Sequence, residues 1–286
     1  MRPIAHSLPF GRATFIPAGC IHWPLTEKDL LKKWIKAVKD TPKAFTMLMG
    51  DSLDFARTHY RDHIRSYRAD QNSQLAVDEY VKHDIGKLAK LLMPIKDRII
   101  GAILGNHHHE FADGTNGEQF LCQLLGIRYL GPVGLIRVEF RDRSGRTRHS
   151  MVIYAHHHGG SMGGRTTGAD ANALERSETT FDADVYVLSH THRRIGFKLP
   201  KLEITSKGRP IVIERTKAFI RSGAFLKGYG EDNPSTTRPH FPTYAEQKAL
   251  RPTDLGYVTL TIDLTHVGNN GPNDPNRVKR EFTVSY

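Results

Sequence analysis

Cysteine is scarce in this sequence, with Cys20 and Cys122 the only two in 286 residues. Two thiols cannot build a disulfide framework, and with no export pattern both are expected to be reduced. No apolar stretch approaches the ~20 residues of a membrane span, and the N-terminus lacks the basic-then-apolar pattern of a secretory signal. These absences lead to the expectation of a cytoplasmic protein that does not engage a membrane. No internal repeat is visible, and no Walker-type Lys follows the Gly-rich run 159–164, which excludes a nucleotide P-loop. Acidic residues are also in deficit: 30 Asp and Glu against 41 Lys and Arg leave a net charge of +11. The pI is near 9.6. Such an excess attracts polyanions such as nucleic acid, although a basic surface also serves solubility alone. The remaining composition is ordinary, at 38% hydrophobic and 25% charged, and one domain spanning 1–286 is long enough to bury a core.

Four short apolar runs stop abruptly and are followed by Asp, Asn or His. Ala44 to Met49 leads into Gly50-Asp51-Ser52-Leu53-Asp54, and Ile99 to Ile103 leads through Leu104 into Gly105-Asn106-His107-His108-His109-Glu110. Ser150 to Ala155 leads into His156-His157-His158-Gly159, and Asp184 to Leu188 into Ser189-His190-Thr191-His192. Runs of this kind read as buried strands that deliver side chains to a site at the carboxyl edge of a sheet. Asp, Asn and His are the oxygen and nitrogen ligands of borderline divalent cations such as Mn, Fe, Co, Ni and Zn. A weaker run, Thr14 to Gly19, contains Pro17, which marks an edge, a bulge or an incomplete strand. It leads into Cys20-Ile21-His22, whose alternation on an extended chain puts Cys20 and His22 on one side.

In this order the motifs resemble those of the calcineurin-like metallophosphoesterase superfamily, D-x-H, G-D-x-x-D/N, G-N-H-D/E, H-G and G-H-x-H, with the repair-exonuclease branch most similar in kind. The resemblance runs from Cys20 to His192. It implies an α/β fold, a four-layer α-β-β-α sandwich with two mixed β-sheets, and phosphoester hydrolysis with two divalent metal ions drawn from Mn, Fe, Zn or Ni. By resemblance, the first metal takes Cys20, His22, Asp51 and His192, and the second takes Asp51, Asn106, His158 and His190. Asp51 bridges the two, His107 is the catalytic imidazole, and Asp54 orients it. Asp54 also suits a helix N-cap. His158 is selected because the family's His immediately precedes Gly. An earlier histidine, His156 or His157, stays open because register cannot be fixed across three identical residues.

The chain departs from the family at three places. Cys20 stands where the family has Asp. Either it is a thiolate ligand, softer than carboxylate and favouring Zn or Fe, or it is a small buried residue beside a weak or empty first position. Ser189 replaces Gly. The acidic residue after His107 is replaced by His108, with Glu110 two positions further on, and either residue tunes His107 or meets substrate.

Beyond Asp54, Arg57, Arg61, Arg65 and Arg68 recur at steps of four, four and three, interleaved with His59, Tyr60, His63 and Tyr67. On a helix they share one face, a cationic ridge suited to a phosphate backbone or single-stranded bases; the alternative is an exposed face paired with Asp62 and Asp70. Arg57, Arg61 and Arg165, the last directly after the Gly-rich run, are the candidate substrate-binding residues.

Helices are expected from a Thr26-x-x-Asp29 start through Val38, over 73–93 ended by Pro94, over 118–125 with Cys122 in its core face, and over 173–178. A hairpin turns at Ser144-Gly145. Residues 1–12 read as an arm, 195–202, 210–225 and 256–264 as the family's second sheet, and 228–254 as a substrate-side loop. The leading expectation is a metallophosphoesterase acting on diester bonds in DNA or RNA. The alternatives are a phosphatase or diesterase of a small nucleotide or other small phosphoester, and a non-catalytic metal-binding scaffold.

Overall fold

Strands with one apolar face each must bury that face, and here two sheets do so against each other. The computed structural model describes residues 3–54, 71–158, 166–204, 210–229, 244–247, 249, 252–266 and 278–286. One sheet has seven strands in the order β1 (Ile4–Pro9), β5 (Val133–Arg141), β6 (Thr147–His156), β7 (Val185–Leu188), β9 (Val212–Ala224) and β10 (Gly256–Tyr257), with β8 (Arg194–Ile204) also pairing β9. The other has five in the order β12 (Val278–Ser285), β11 (Thr259–His266), β2 (Ala13–Phe15), β3 (Ala44–Leu48) and β4 (Ile99–Ala102). Both are mixed: β2, β3 and β4 run parallel, as do β6, β7 and β9, while the outer pairings of β11 with β12 and of β8 with β9 are antiparallel.

Phe15, Phe45 and Met47 from the smaller sheet meet Ile136, Val138, Phe140 and Ile153 from the larger in the inner layer. On the outer face of the smaller sheet lie α1 (Lys28–Asp40), α2 (Gln71–Leu92) and α3 (Gly117–Leu125), through Trp34, Ile85, Leu88 and Leu121. The outer face of the larger sheet is covered by α4 (Thr167–Arg176), whose Leu174 packs with Tyr186 and Phe219. The result is the four-layer α-β-β-α sandwich expected from the sequence. No helix among the described residues is long and apolar enough to cross a membrane.

Several local expectations are corrected. Residues 4–9 are a strand paired in parallel with β5, not a free arm. Of the alternatives for the run with Pro17, the incomplete strand holds, since β2 stops at Phe15, and the edge does not, since β2 lies between β3 and β11. α1 begins at Lys28, because the Thr26 hydroxyl donates to the Ile21 carbonyl at 2.5 Å instead of capping the helix. α2 ends at Leu92, ahead of Pro94 as expected, and a 3₁₀ turn, Met93–Arg98, follows it. Segments 195–202, 210–225 and 256–264 do not form a sheet of their own. β8, β9 and β10 extend the sheet of β7, and the chain then crosses at Val258 to place β11 against β2. Most of the 228–254 loop lies outside the described residues.

Candidate metal centre

The ligand-type residues sit where the chain turns sharply on leaving a strand. Cys20, His22, Asp51, His190 and His192 have φ of 53°, 54°, 52°, 72° and 58°. They are five of the seven non-glycine residues with positive φ among the described residues. A left-handed backbone costs an L-residue about 1–2 kcal/mol, so the concentration of such residues here marks a constraint stronger than local preference. Cys20 and His22 therefore converge through two left-handed turns flanking Ile21, not through the alternation of an extended chain. Their N–H groups donate to the carbonyls of Gly50 and Asp51 at 3.0 and 2.9 Å. Glycine permits the close approach of β3 and β4 beyond their ends: a Cβ on Gly105 would stand 2.1 Å from both N and Oδ1 of Asp51.

Asp51 is buried at the centre. Its Oδ1 accepts the His107 N–H at 2.8 Å, and its Oδ2 lies 3.0 Å from Nε2 of His157. His157 Nε2 is also 3.0 Å from Oδ1 of Asn106, and the same oxygen lies 3.0 Å from Nδ1 of His190. On the other side of the cluster, Nε2 of His22 is 3.1 Å from Nε2 of His192 and 3.9 Å from Asp51 Oδ2. The donor atoms of Cys20, His22 and His192 lie within 4.8 Å of one another, as do those of Cys20, Asp51 and His157. His107 Nδ1 is 2.7 Å from Oδ1 of Asp54, which also lies 3.5 Å from His22 Nδ1.

Burial alone would raise the Asp51 carboxyl, yet the surrounding imidazoles of His157, His22 and His107 hold it well below the ordinary carboxylate range. Desolvation also works against charge on Asp54, and the His107 hydrogen bond, with His22 close by, overcomes it, again holding the carboxyl low. Both are anions at neutral pH. Burial, reinforced by His157 and His158, pushes His190 down to about 3, and burial with His22 beside it pushes His192 down to about 3. These rings stay neutral. His157 moves the other way, since Asp51 more than offsets its desolvation. Burial, with Asp51 adding to it, pushes the Cys20 thiol up.

The donor set fits a pair of cations. His157 Nδ1 lies 2.6 Å from the Met49 carbonyl, which can only accept, so Nδ1 carries the hydrogen and a neutral ring turns its Nε2 lone pair on the acceptor oxygens of Asp51 and Asn106. Lone pairs facing acceptors need a proton or a cation between them. The two facing Nε2 atoms of His22 and His192 make the same demand. His22 Nδ1, buried, has no hydrogen-bond partner.

Cys20, His22, Asp51, Asn106, His190 and His192 are thus brought together, with His107 and Asp54 beside them. Among the three consecutive histidines, His157 is the one whose nitrogen stands 3.0 Å from Asp51 and Asn106. The strand ends at His156, and the next side chain turns inward. His158, which the motif selects, is exposed, with its ring centroid 4.4 Å from that of His190. His108 and Glu110 pair with each other at 3.6 Å, and His108 Nδ1 lies 3.0 Å from the Gly105 carbonyl. Arg57, Arg61, Arg65, Arg68 and Arg165 lie outside the described residues.

One supporting contact was not legible in sequence. His109 Nε2 lies 2.6 Å from Asp78 Oδ1, both residues buried, and Asp78 Oδ2 accepts the Ala112 N–H at 2.9 Å. This pair pins the loop carrying His107 to α2. Asp78 occupies a buried helix position next to Val77, and nothing in the local pattern distinguishes it from a surface carboxylate.

The chain resembles the calcineurin-like metallophosphoesterases. Motif order, the placement of the motifs at strand ends and the four-layer sandwich all agree with that resemblance. Sequence comparison finds no family model that matches and no match among curated proteins. Structural comparison finds a predicted phosphoesterase from Streptococcus pneumoniae TIGR4, 11% identical, with a TM-score of 0.35 over 96% of this chain and 99% of that one. Vps29 from Cryptosporidium parvum is 12% identical with a TM-score of 0.37, over 96% of this chain and 98% of that one. Entamoeba histolytica Vps29, solved with zinc, is 12% identical with a TM-score of 0.35, over 95% and 98%. Superposition at this level leaves the functional argument to the residues themselves.

Proposed function

We propose that the protein is a metal-dependent phosphoesterase that cleaves phosphodiester bonds, with nucleic acid as its substrate. The observation that carries this reading is the arrangement around Asp51, with Cys20, His22 and His192 in one group of donor atoms, His157, Asn106 and His190 in another, and the His107–Asp54 pair alongside. His157 takes the ligand position that the motif assigns to His158, because its buried Nε2 faces Asp51 and Asn106. Asp51 stands between the two groups, its Oδ2 3.9 Å from His22 Nε2 and 3.0 Å from His157 Nε2, and would be shared by both positions. When bound, two divalent cations supply an acidified water and offset the charge that develops on a phosphoryl group.

The chain's own contribution is orientation and proton handling. Asp54, held anionic, accepts from Nδ1–H of His107 and so fixes its tautomer. In its doubly protonated form His107 then presents Nε2–H, which would donate to a phosphoryl oxygen or pass its proton to the leaving oxygen. A diester then yields a monoester and an alcohol. Nucleic acid is favoured by the net charge of +11 and by Arg57, Arg61, Arg65 and Arg68, which follow Asp54 in the chain, with Arg165 as a further phosphate contact.

A second reading, a non-catalytic metal-binding scaffold, is favoured by Cys20 standing where the family has Asp. An assay with Mn, Zn, Mg and Ni against bis-p-nitrophenyl phosphate, p-nitrophenyl phosphate, single-stranded DNA and duplex DNA separates the readings. Cleavage of the aryl diester and of DNA is expected. Turnover of the aryl monoester alone would overturn the preference for nucleic acid, and metal-loaded protein with no turnover at all would leave the scaffold.

A further inference from the structure

Cys20, Ser189 and Ser222 form a hydroxyl-and-thiol chain buried beneath the first cation position. Ser222 Oγ lies 3.1 Å from Ser189 Oγ and 3.4 Å from the Gly223 carbonyl, and Ser189 Oγ lies 3.2 Å from the Cys20 sulfur, where it can donate once that sulfur is a thiolate. Exposure is 0% at Cys20 and Ser222 and 2% at Ser189. The neighbouring backbone makes room for this chain. A Cβ on Gly19 would stand 2.1 Å from Ser189 Oγ and 2.5 Å from Ser222 Oγ.

Arg221 lies behind it, fully buried, donating from Nη1 to the Ser189 carbonyl at 2.8 Å. Its Nε and Nη2 have no hydrogen-bond partner, although Nε stands 3.2 Å from Oδ1 of Asp170. Arg193 pairs with the same carboxylate. Both guanidinium groups reach the same buried Asp170, and a fully buried cation, Arg221, stands behind Ser189. A thiol that only fills space requires neither a hydroxyl chain against its sulfur nor a buried cation close by.

We propose that Cys20 is a thiolate ligand that selects a soft or borderline cation, zinc or ferrous iron, for the first position, with Ser189 and Ser222 as positioning residues that hydrogen-bond its sulfur. This rests on the two-cation reading above and deepens it. The Cys20, His22 and His192 atoms, within 4.8 Å of one another, are close to the limit of roughly 4.6 Å for two ligands each 2.0–2.3 Å from one metal. Binding replaces the S–H bond by a sulfur–metal bond and releases the proton to solvent. The second position, with oxygens from Asp51 and Asn106 and nitrogens from His157 and His190, suits a harder ion such as manganese. The centre would then hold two different metals.

Cobalt(II) titration tests this, because a thiolate ligand gives a sulfur-to-cobalt charge-transfer band in the near ultraviolet that nitrogen and oxygen ligands do not. The wild-type protein should bind two equivalents by elemental analysis and show the band. Cys20→Asp should keep two equivalents, lose the band and lower the preference for zinc over manganese by at least about tenfold. Ser222→Ala should shift the band and weaken the first position about 10–100-fold; a loss of packing alone would not move the band. Cobalt bound by the wild type with no band overturns the inference and leaves the two-cation reading intact. No cobalt bound by folded wild-type protein overturns both. Should Cys20→Asp fail to fold, the wild-type band decides the matter.

Discussion

A histidine that donates from Nδ1 to a fixed acceptor aims its Nε2 at whatever lies in front of it. His107 and His157 both do this, with different consequences. The acceptor behind His157 is a backbone carbonyl and the groups in front are Asp51 and Asn106, so its lone pair serves a cation. Behind His107 stands Asp54, and in the proposed reaction its other nitrogen, when protonated, faces the substrate. His107→Ala should therefore lower kcat by about 10²–10⁴-fold with bound metal unchanged, as read by steady-state kinetics beside elemental analysis. His157→Ala should lose one metal equivalent, while His158→Ala keeps both. The reverse pattern would return the ligand position to His158. Asp51, Asn106, His190 and His192 were legible because each motif carries its own spacing and chemistry. The choice among His156, His157 and His158 was not, since only the packing of the chain beyond β6 decides which of three identical side chains turns inward. The surroundings of Cys20 were equally hidden, because Ser222 and Arg221 arrive from a distant strand.

At the level of elements, the site exists because parallel strands end at one edge and turn there through left-handed residues. Gly105 is the narrowest point. Gly105→Ala would drive a methyl group into the Asp51 backbone and carboxylate, and overpacking of this kind costs about 1–3 kcal/mol or more. Chemical denaturation should show that loss together with reduced metal affinity; unchanged stability and affinity would mean that the β3 and β4 ends are not as close as the geometry gives. The strands feeding the site were readable as apolar runs, being buried on both faces. β1 was not, because it lies at a sheet edge with its residues mostly half exposed or exposed, and so resembles a polar arm. Sheet membership of β8 to β11 was also out of reach, since a strand's partner is set by tertiary pairing and not by its own pattern.

Over the whole molecule, charge bears on stability and on the proposed substrate. His190 and His192 are held neutral down to about 3, whereas unfolded histidines take up a proton near 6.5. Between those values the unfolded state binds more protons, so the metal-free protein should lose stability as pH falls from about 6.5 toward 3. His157 opposes this, its contribution being full below 6.5 and lost as pH rises through its raised value, but two groups outweigh one. Asp51 and Asp54, with depressed values, add to the loss below about 3.8. Thermal melting of chelator-treated protein between pH 7 and pH 4 should show the decline, and a melting temperature that is flat or rises on acidification would contradict it. The net charge of +11 predicts that affinity for DNA falls steeply with salt, linearly on a log–log plot, through release of counterions. Affinity independent of salt would point to a small phosphoester instead.

The most direct test is an anomalous diffraction experiment on crystals grown with manganese and zinc. Two peaks about 3.5–4 Å apart are predicted, both within bonding distance of Asp51, one also touching His22 and His192 and the other Asn106, His157 and His190. A folded protein whose crystals show no peak at Asp51, or whose peaks lie elsewhere on the surface, would contradict the two-cation centre.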